Sequence, residues 1–342
     1  MRLQVKPDAI HDCLIKNADP KLKFKHDVDF KTWQRDVRKK FIELFGIDKI
    51  KPYECPINYE IQEEQDFGTY KRLRIVYESE KGFFVPSYLL IPNTGMKKYP
   101  LVIKLMGHNP GGMKNSIGLL GDTEEEKYRK AGAIQAVENG YASLCVELRG
   151  MGELSTDGEK RLWGGAMCKY TASVALPLGR TILGERVWDV SRAIDVMEQF
   201  EIIDTDNIIV TGGSGGGTAS FYSACYDERI KYCAPLCSFC SYSTSILDMY
   251  HCLCNYVPSL LEWFEMGDLA GLIAPRKLLI FAGKTDEAFP INGVEDAFAT
   301  AKSIYKKAGA EDNVKLVAMD CGHSWRPEYV WPNVNEFFDI KK

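Results

Sequence analysis

The sequence feature that most constrains the fold is residues 208–220, which read IIVTGGSGGGTAS. A β-branched run opens this stretch, a glycine-rich turn follows, and small residues close it, so the pattern predicts a strand, a tight turn and a helix. The letters GGSGG at residues 212–216 fit G-x-S-x-G, in which the flanking glycines remove Cβ atoms that would clash with the strand and the helix. Such a turn lifts the hydroxyl of Ser214 out of the sheet and directs the backbone N–H of Gly215 toward whatever that hydroxyl attacks. Ser214 is therefore the candidate nucleophile.

Two phosphate-binding motifs can be excluded for this stretch because residues that they require are missing. A Walker loop requires Lys followed by Ser or Thr after its last glycine, and a dinucleotide-binding loop requires glycine where this chain has Thr218. The remaining alternative is a glycine-rich loop that carries no chemistry.

The bulk composition excludes several classes of protein. A hydrophobic fraction of 45% with 26% charged residues is ordinary for a globular chain of 342 residues, and the net charge of −4 argues against a nucleic-acid or anionic-membrane surface. The amino terminus has no apolar signal-peptide core, and nowhere do about 18 apolar residues run together. We therefore expect a cytoplasmic protein whose eleven cysteines are reduced thiols.

The order of the segments predicts one large domain with additions. Residues 1–69 are expected to form a helical extension, since apolar residues recur at helical spacing between Asp29, a candidate cap, and Gly46. Residues 70–342 are expected to form the main domain, within which the aromatic-rich segment 237–275 is predicted to lie over the active site or to form an oligomer contact.

Alternating strands and helices fill the main domain. An antiparallel pair at 70–77 and 83–91 leads into units that predict a parallel sheet. The predicted strands of these units are 101–106, 142–147, 207–211, 232–236, 277–282 and 314–319, and the predicted helices are 124–139, 183–200, 215–226, 294–308 and 327–340. A doubly wound, mostly parallel sheet with a serine turn after a central strand is the α/β-hydrolase fold.

A serine nucleophile needs a base and a residue that orients the base, and in this fold they follow in the order Ser, Asp or Glu, His. Asp286 comes directly after the strand 277–282, and Glu287 is its competitor one residue on. His323 is the one histidine that follows Asp286. We expect His323 to take the proton of Ser214 and Asp286 to hold the imidazole in the required tautomer.

The oxyanion that forms in such a reaction needs hydrogen-bond donors. The backbone N–H of Gly215 is one. The loop 107–112, which reads GHNPGG, should supply the other, and we predict the backbone N–H of His108, with Gly107 or Asn109 as alternatives.

These motifs, together with ELRGMG at residues 147–152, resemble the acetyl-xylan esterase and cephalosporin-C deacetylase family. The resemblance spans roughly residues 70–340. It implies hydrolysis of an ester, commonly removal of acetyl groups from sugars, without a cofactor. The expected partner is accordingly a small-molecule or oligosaccharide ester, and assembly into a homo-oligomer stays open.

The chain departs from that family at four places. The family usually has Arg-Gly-Gln where this chain has RGM at 149–151, Gln where it has Gly215, and His-Glu where it has HS at 323–324. The family's oxyanion loop reads His-Gly-Tyr, against MGH at 106–108. The fold and the triad do not depend on these positions, whereas the substrate and the assembly state do.

The cysteines suggest two metal-site alternatives to the esterase interpretation. Cys233, Cys237 and Cys240 match the C-x-x-x-C-x-x-C spacing of an iron–sulfur site, but they fall in or beside a predicted buried strand rather than in an exposed loop. Cys252 and Cys254 with His251 lack the C-x-x-C pairing of structural zinc sites, so we expect packing and no metal.

Two functional alternatives remain. A prolyl-oligopeptidase-like serine peptidase shares the serine turn and the triad order, although residues 1–69 are too few for its propeller domain. A non-catalytic hydrolase-fold binding protein usually lacks a triad member, and all three are present here. Three tryptophans, Trp163, Trp263 and Trp325, are candidates for either a substrate pocket or the core.

Overall fold

The computed structural model describes residues 5–164 and 167–342, apart from the side chain of Trp163. Within these residues the chain forms one mixed sheet flanked by helices. The strands are β1 (Tyr59–Asp66), β2 (Tyr70–Glu80), β3 (Phe83–Pro92), β4 (Tyr99–Leu105), β5 (Ala142–Val146), β6 (Ile203–Gly213), β7 (Ile230–Leu236), β8 (Lys277–Gly283) and β9 (Val314–Met319). The α-helices are α1 (Ala9–Lys16), α2 (Phe30–Leu44), α3 (Glu124–Lys130), α4 (Gly132–Glu138), α5 (Asp157–Trp163), α6 (Lys169–Ala175), α7 (Ile182–Met197), α8 (Gly215–Tyr226), α9 (Met266–Leu269), α10 (Ile291–Lys307) and α11 (Pro327–Phe338).

The strand order is β1-β2-β3-β5-β4-β6-β7-β8-β9. The pairs β1/β2, β2/β3 and β3/β5 are antiparallel, and every pair from β5/β4 to β8/β9 is parallel. The carboxyl ends of β4, β6, β8 and β9 therefore meet at one edge of the sheet, where open α/β sheets place their functional groups. The predicted α/β-hydrolase architecture is confirmed.

The sheet begins earlier than the sequence predicts. Residues 59–66 fall inside the predicted helical extension, yet they form β1, which pairs with β2 from Tyr59 to Asp66. Every residue of β1 is exposed, so the strand buries no apolar face and carries no alternating pattern for a sequence reading to detect.

The helix predicted over residues 124–139 is divided into α3 and α4. The backbone leaves the helical region at Ala131, and the side-chain amide of Gln135 donates to the carbonyl of Tyr128. The following residue, Gly132, is packed so tightly that a Cβ there would contact the side chain of Lys104 in β4. The start of α4 therefore lies directly against the sheet.

Helix α2 packs on the main domain against α8. The carboxylate of Asp29 accepts the N–H of Thr32 at its start, and its buried face includes Val37 and Phe41. The ring of Phe45, just after the helix, lies 4.8 Å from that of Tyr222 in α8. Because α8 follows Ser214 directly, α2 supports the helix that begins next to this serine.

The segment 237–275 consists of short helical turns and α9. Its Tyr242 is buried and shares a hydrogen bond of 2.6 Å with Tyr222, whereas Tyr250 is 70% exposed. The segment is therefore mostly buried, with Tyr242 packed on α8, and is exposed around Tyr250. Its role as a cover stays a prediction. Among the described residues, no helix combines the length and apolar character needed to span a bilayer.

Candidate active site

The serine turn has the strained backbone that its sequence predicts. Ser214 has φ 55° and ψ −126°. Residues other than glycine rarely adopt this backbone conformation, which costs on the order of 1–3 kcal/mol. A Cβ on Gly212 or on Gly216 would collide with the carbonyl oxygen of Leu105 in β4. Both glycines of the motif are therefore required by the close approach of β4.

Asp286 and His323 meet at the same edge of the sheet. The Oδ2 atom of Asp286 lies 2.8 Å from Nδ1 of His323. The Oδ1 atom of Asp286 accepts the backbone N–H groups of Ala288 at 2.9 Å and Phe289 at 3.2 Å. The carboxylate is thus held from one side by the backbone and presents its other oxygen to the imidazole. Glu287, the sequence competitor, is exposed.

This environment favours the charged form of Asp286. Burial raises the pKa of the carboxyl group, but the hydrogen bond and the charge of His323 outweigh it, so the pKa lies below its ordinary value. The ring of Phe289 stacks on His323 with 5.8 Å between centroids and 15° between planes, which fixes the plane of the imidazole.

Ser214 and His323 line one cavity of about 310 Å³. No hydrogen bond joins the two side chains within the part of the chain that the structure describes. Free hydrolases commonly close this bond only when substrate binds, because the serine hydroxyl turns about one side-chain torsion. The same cavity is lined by His108, Lys104 and Trp325.

The loop after β4 lies directly against Ser214. A Cβ on Gly107 would lie 2.7 Å from the carbonyl oxygen of Gly213 and 3.1 Å from Cβ of Ser214. The imidazole of His108 covers Gly215, where a Cβ would lie 2.9 Å from two ring atoms. This contact explains one departure from the resembled family, since the ring of His108 occupies the space that a glutamine side chain at residue 215 would need.

A buried carboxylate ties this loop to the one after β5. Glu147 accepts the N–H groups of Met113 and Glu153, each at 3.1 Å. It is flanked by Gly112 and Gly152, where φ is +51° and +48° and where any Cβ would meet the carboxylate. Burial raises the pKa of Glu147 to about 7. The glycines of both loops are thus required by one buried acid that holds the loops together.

Lys104 and Trp325 form another wall of the cavity. Nζ of Lys104 lies 4.1 Å from the ring centroid of Trp325 and donates to the carbonyl of Leu105 at 3.2 Å. Burial lowers the pKa of Lys104 to about 8. Of the other predicted pocket tryptophans, Trp263 lies beneath the ammonium group of Lys40 outside this cavity, and the side chain of Trp163 lies outside the described part of the chain.

Arg149, from the RGM stretch, is the centre of a buried ion-pair network. Its guanidinium lies 2.7 Å from Asp189, 2.5 Å from Glu80 and 3.6 Å from Glu185. Arg180 contacts the same two glutamates. The network joins β2, α7 and the loop after β5, so the arginine of this motif supports the fold beneath the loops and does not enter the cavity.

Beside the cavity the structure assembles a side-chain cluster whose full membership the sequence does not indicate. It consists of His108, Cys168, Cys252 and Cys254, and we name it the Cys3His cluster. Nε2 of His108 lies 3.3 Å from Sγ of both Cys168 and Cys254. Hydrogen bonds from Cys168 and Cys254 hold the pKa of Cys252 well below its ordinary value.

Only the C-x-C spacing of Cys252 and Cys254 marks this cluster in the sequence. The histidine that joins them is His108, from a loop far earlier in the chain. The neighbouring His251 instead lies against Ser245, with 3.3 Å between Nε2 and Oγ.

The cysteines of the C-x-x-x-C-x-x-C match have separate partners. The thiol of Cys233 donates to the carbonyl of Ser220, and that of Cys240 to the carbonyl of Pro290. Cys237 lies beside Asp286.

A strained serine after a central strand and an Asp–His pair at the same sheet edge define the α/β-hydrolase class. The chain belongs to the Abhydrolase family, whose model matches residues 4–230. The hydrolase resemblance drawn from the sequence is therefore confirmed.

Two kinds of relatives agree with this assignment. YtaP of Bacillus subtilis (strain 168), provisionally named a hydrolase, is 28% identical over 244 residues, which is 70% of this chain and 77% of that protein. A provisionally assigned acetyl xylan esterase of Bacteroides fragilis NCTC 9343 superimposes with a TM-score of 0.81 at 17% identity, covering 99% of this chain and 96% of that one. A glucuronoyl esterase from Solibacter usitatus gives a TM-score of 0.65 at 16% identity, covering 95% and 98%. At these identities the structural likeness shows the fold.

Proposed function

We propose that the protein is a serine carboxylesterase that cleaves its substrate through an acyl-enzyme. The observation that carries the proposal is the 2.8 Å contact between Asp286 and His323 at the rim of the cavity that also holds Ser214 on its strained turn. Such a constellation has no evident structural use, because the turn costs free energy and the imidazole is 37% exposed.

The roles follow from the geometry. Ser214 Oγ attacks the ester carbonyl carbon while Nε2 of His323 accepts its proton, and the C–O bond to the alcohol then breaks as His323 returns that proton to the leaving oxygen. Water repeats the sequence on the acyl-enzyme and releases the acid. Asp286 keeps the proton of the neutral imidazole on Nδ1, which leaves Nε2 free to accept, and stabilises the imidazolium that forms.

The backbone N–H groups of Gly215 and His108 are the proposed hydrogen-bond donors to the oxyanion. Gly215 opens α8, so its N–H is among the donors that a helix leaves unpaired. The N–H of His108 makes no hydrogen bond to any described residue, and its loop lies against the nucleophile. Each donor of this kind contributes about 3 kcal/mol to transition-state stabilisation.

For the substrate class we propose an ester on a carbohydrate or on a small acylated metabolite. The acetyl xylan esterase and the glucuronoyl esterase with the same fold carry carbohydrate esters in their names. The indole of Trp325 lines the cavity and offers an aromatic face of the kind on which sugar rings stack. Its Nε1 donates to Gln135 at 3.0 Å, which holds the ring in place.

The test combines covalent labelling with turnover. A fluorophosphonate should label wild-type protein and fail to label Ser214→Ala, and hydrolysis of 4-nitrophenyl acetate should fall at least about 10⁴-fold in that variant. Ser173→Ala, which changes an exposed serine in α6, is the matched control and should behave as wild type. Wild-type protein that neither reacts with the probe nor cleaves any ester would leave a binding protein as the better interpretation, and cleavage of peptides in preference to esters would favour the peptidase.

Esters of rising acyl length, followed by acetylated oligosaccharides, then define the substrate. Activity confined to acetyl esters of sugars would support the carbohydrate assignment. Equal rates on simple long-chain esters would contradict it.

A further inference from the structure

The Cys3His cluster brings together three segments that are distant in the chain. His108 comes from the loop after β4 and Cys168 precedes α6. Cys252 precedes a short helical turn in the segment 237–275, and Cys254 lies within that turn. The nitrogen or sulfur atoms of all four side chains lie within 4.8 Å of one another. Three thiols and an imidazole facing a common centre are the donor set of a Cys3His zinc site.

The distances fit a four-coordinate ion. Tetrahedral zinc, with bonds of about 2.3 Å to sulfur and about 2.0 Å to nitrogen, places its donor atoms about 3.5–3.8 Å apart. In the structure both His108–thiol separations and the Cys168–Cys252 separation are 3.3 Å. The other donor separations lie within 4.8 Å. Movements of about 1 Å or less would therefore complete the coordination.

A disulfide accounts for the cluster less well. The sulfur atoms of Cys168 and Cys252 are 3.3 Å apart, whereas a bonded pair is about 2.05 Å apart. A disulfide between Cys168 and Cys252 would also not explain why Cys254 and His108 lie beside them.

The surroundings supply the charge that such a site needs. Three thiolates around a divalent cation leave one net negative charge, which is costly in the interior unless a cation compensates it. Arg186 is fully buried, and its guanidinium interacts electrostatically with the thiols of Cys168, Cys252 and Cys254. Its Nε and Nη2 donate to the carbonyl of Arg149, while its Nη1 has no hydrogen-bond partner among the described residues.

A second group of contacts supports the ligands. The side-chain amide of Asn255 donates to Sγ of Cys254 at 3.8 Å, and its oxygen accepts the hydroxyl proton of Thr218 in α8 at 3.5 Å. Outer partners of this kind orient metal ligands and are a regular part of metal sites.

We propose that His108, Cys168, Cys252 and Cys254 bind one Zn²⁺ ion in a closed site that pins the loop after β4 beside the nucleophile. Four protein donors leave no position for substrate, so the ion is structural. His108 links the two sites, since Nε2 faces the thiols while the other side of the ring packs on Gly215. Describing the neighbouring serine as a nucleophile rests on the proposed esterase function, whereas the metal binding does not.

Metal content of the full chain, purified with reduced thiols, is the direct test. Elemental analysis should give about one zinc per chain, and replacement by Co²⁺ should give the intense visible bands of tetrahedral cobalt with a thiolate charge-transfer band in the near ultraviolet. Cys168→Ser and Cys254→Ser should each lower zinc content at least about five-fold. Cys225→Ser changes a fully buried cysteine in α8 outside the cluster and should retain the metal.

Three results would overturn the proposal. The first is that reduced wild-type protein holds no zinc after incubation with the ion and dialysis. The second is that the cobalt spectra lack tetrahedral thiolate features. The third is that mass spectrometry finds a Cys168–Cys252 disulfide in freshly prepared protein. The first two measurements use wild type, so they decide the question even if a cysteine variant does not fold. Stable occupancy by iron or copper instead of zinc would contradict the choice of metal.

Discussion

The replacement Asp286→Asn tests the catalytic proposal at its most specific point. In the wild type, Oδ1 of Asp286 accepts the N–H groups of Ala288 and Phe289, and Oδ2 faces Nδ1 of His323 at 2.8 Å. An asparagine must keep its oxygen toward the two backbone donors, because an NH2 group there would face N–H groups. Its NH2 group then points at Nδ1 of His323.

That orientation selects the wrong tautomer. Nδ1 must accept from the amide, so the proton of the neutral imidazole moves to Nε2, where it can no longer accept the proton of Ser214. We expect kcat to fall about 10⁴-fold, equivalent to about 5.5 kcal/mol of transition-state stabilisation. Binding should change little, since the amide occupies the volume of the carboxylate.

The assay is steady-state hydrolysis of 4-nitrophenyl acetate, with circular dichroism to confirm that the fold is retained. Glu287→Gln is the matched control, because it makes the same chemical change at the adjacent exposed carboxylate and should leave kcat unchanged. A folded Asp286→Asn variant that loses less than about ten-fold in kcat, or an equal loss in Glu287→Gln, would refute the assigned role.

Three further predictions concern stability and the loop beside the nucleophile. The pKa of Lys104 is about 8 in the folded protein against an ordinary 10.5, so the unfolded chain binds more protons between these pH values. The urea-derived unfolding free energy of wild type should therefore rise by about 3 kcal/mol relative to Lys104→Met from pH 8 to 10.5. Arg149→Met leaves the fully buried Asp189 without its ion-pair partner, and the same measurement should show a loss of about 3–5 kcal/mol. Gly215→Gln should displace the ring of His108 and lower kcat about 10²-fold, as measured with 4-nitrophenyl acetate.

Each of these has a result that contradicts it. Parallel pH profiles for wild type and Lys104→Met would mean that the lysine keeps its ordinary pKa in the folded protein. The control for the ion-pair network is Arg35→Met, at an exposed pair, which should lower the unfolding free energy by at most about 1 kcal/mol. An equally small loss in Arg149→Met would mean that the Arg149 ion pairs contribute no more than solvent-exposed ones. Wild-type turnover in Gly215→Gln would show that the position of His108 does not matter to catalysis.

The main features of the fold could be predicted because each leaves a local pattern. The stretch around Ser214 encodes its own strand, turn and helix, and the structure shows that its glycines are required by the approach of β4. Buried strands such as β8 are continuous apolar runs, and the placement of Asp286 and His323 follows from where those strands end. The sequence pattern does not predict strand β1, because all of its residues are exposed. The position of this strand is set by its pairing with β2.

By itself, then, the sequence determined the class of fold and the order of the three proposed catalytic side chains, because both depend on periodicity and on residues that follow strand ends. Only the tertiary structure decided which groups meet across the chain. It placed His108 against Cys168 and Cys254, and it surrounded Arg149 with buried carboxylates. These contacts depend on how loops from separate strands pack against one another, and spacing along a single chain does not record that packing.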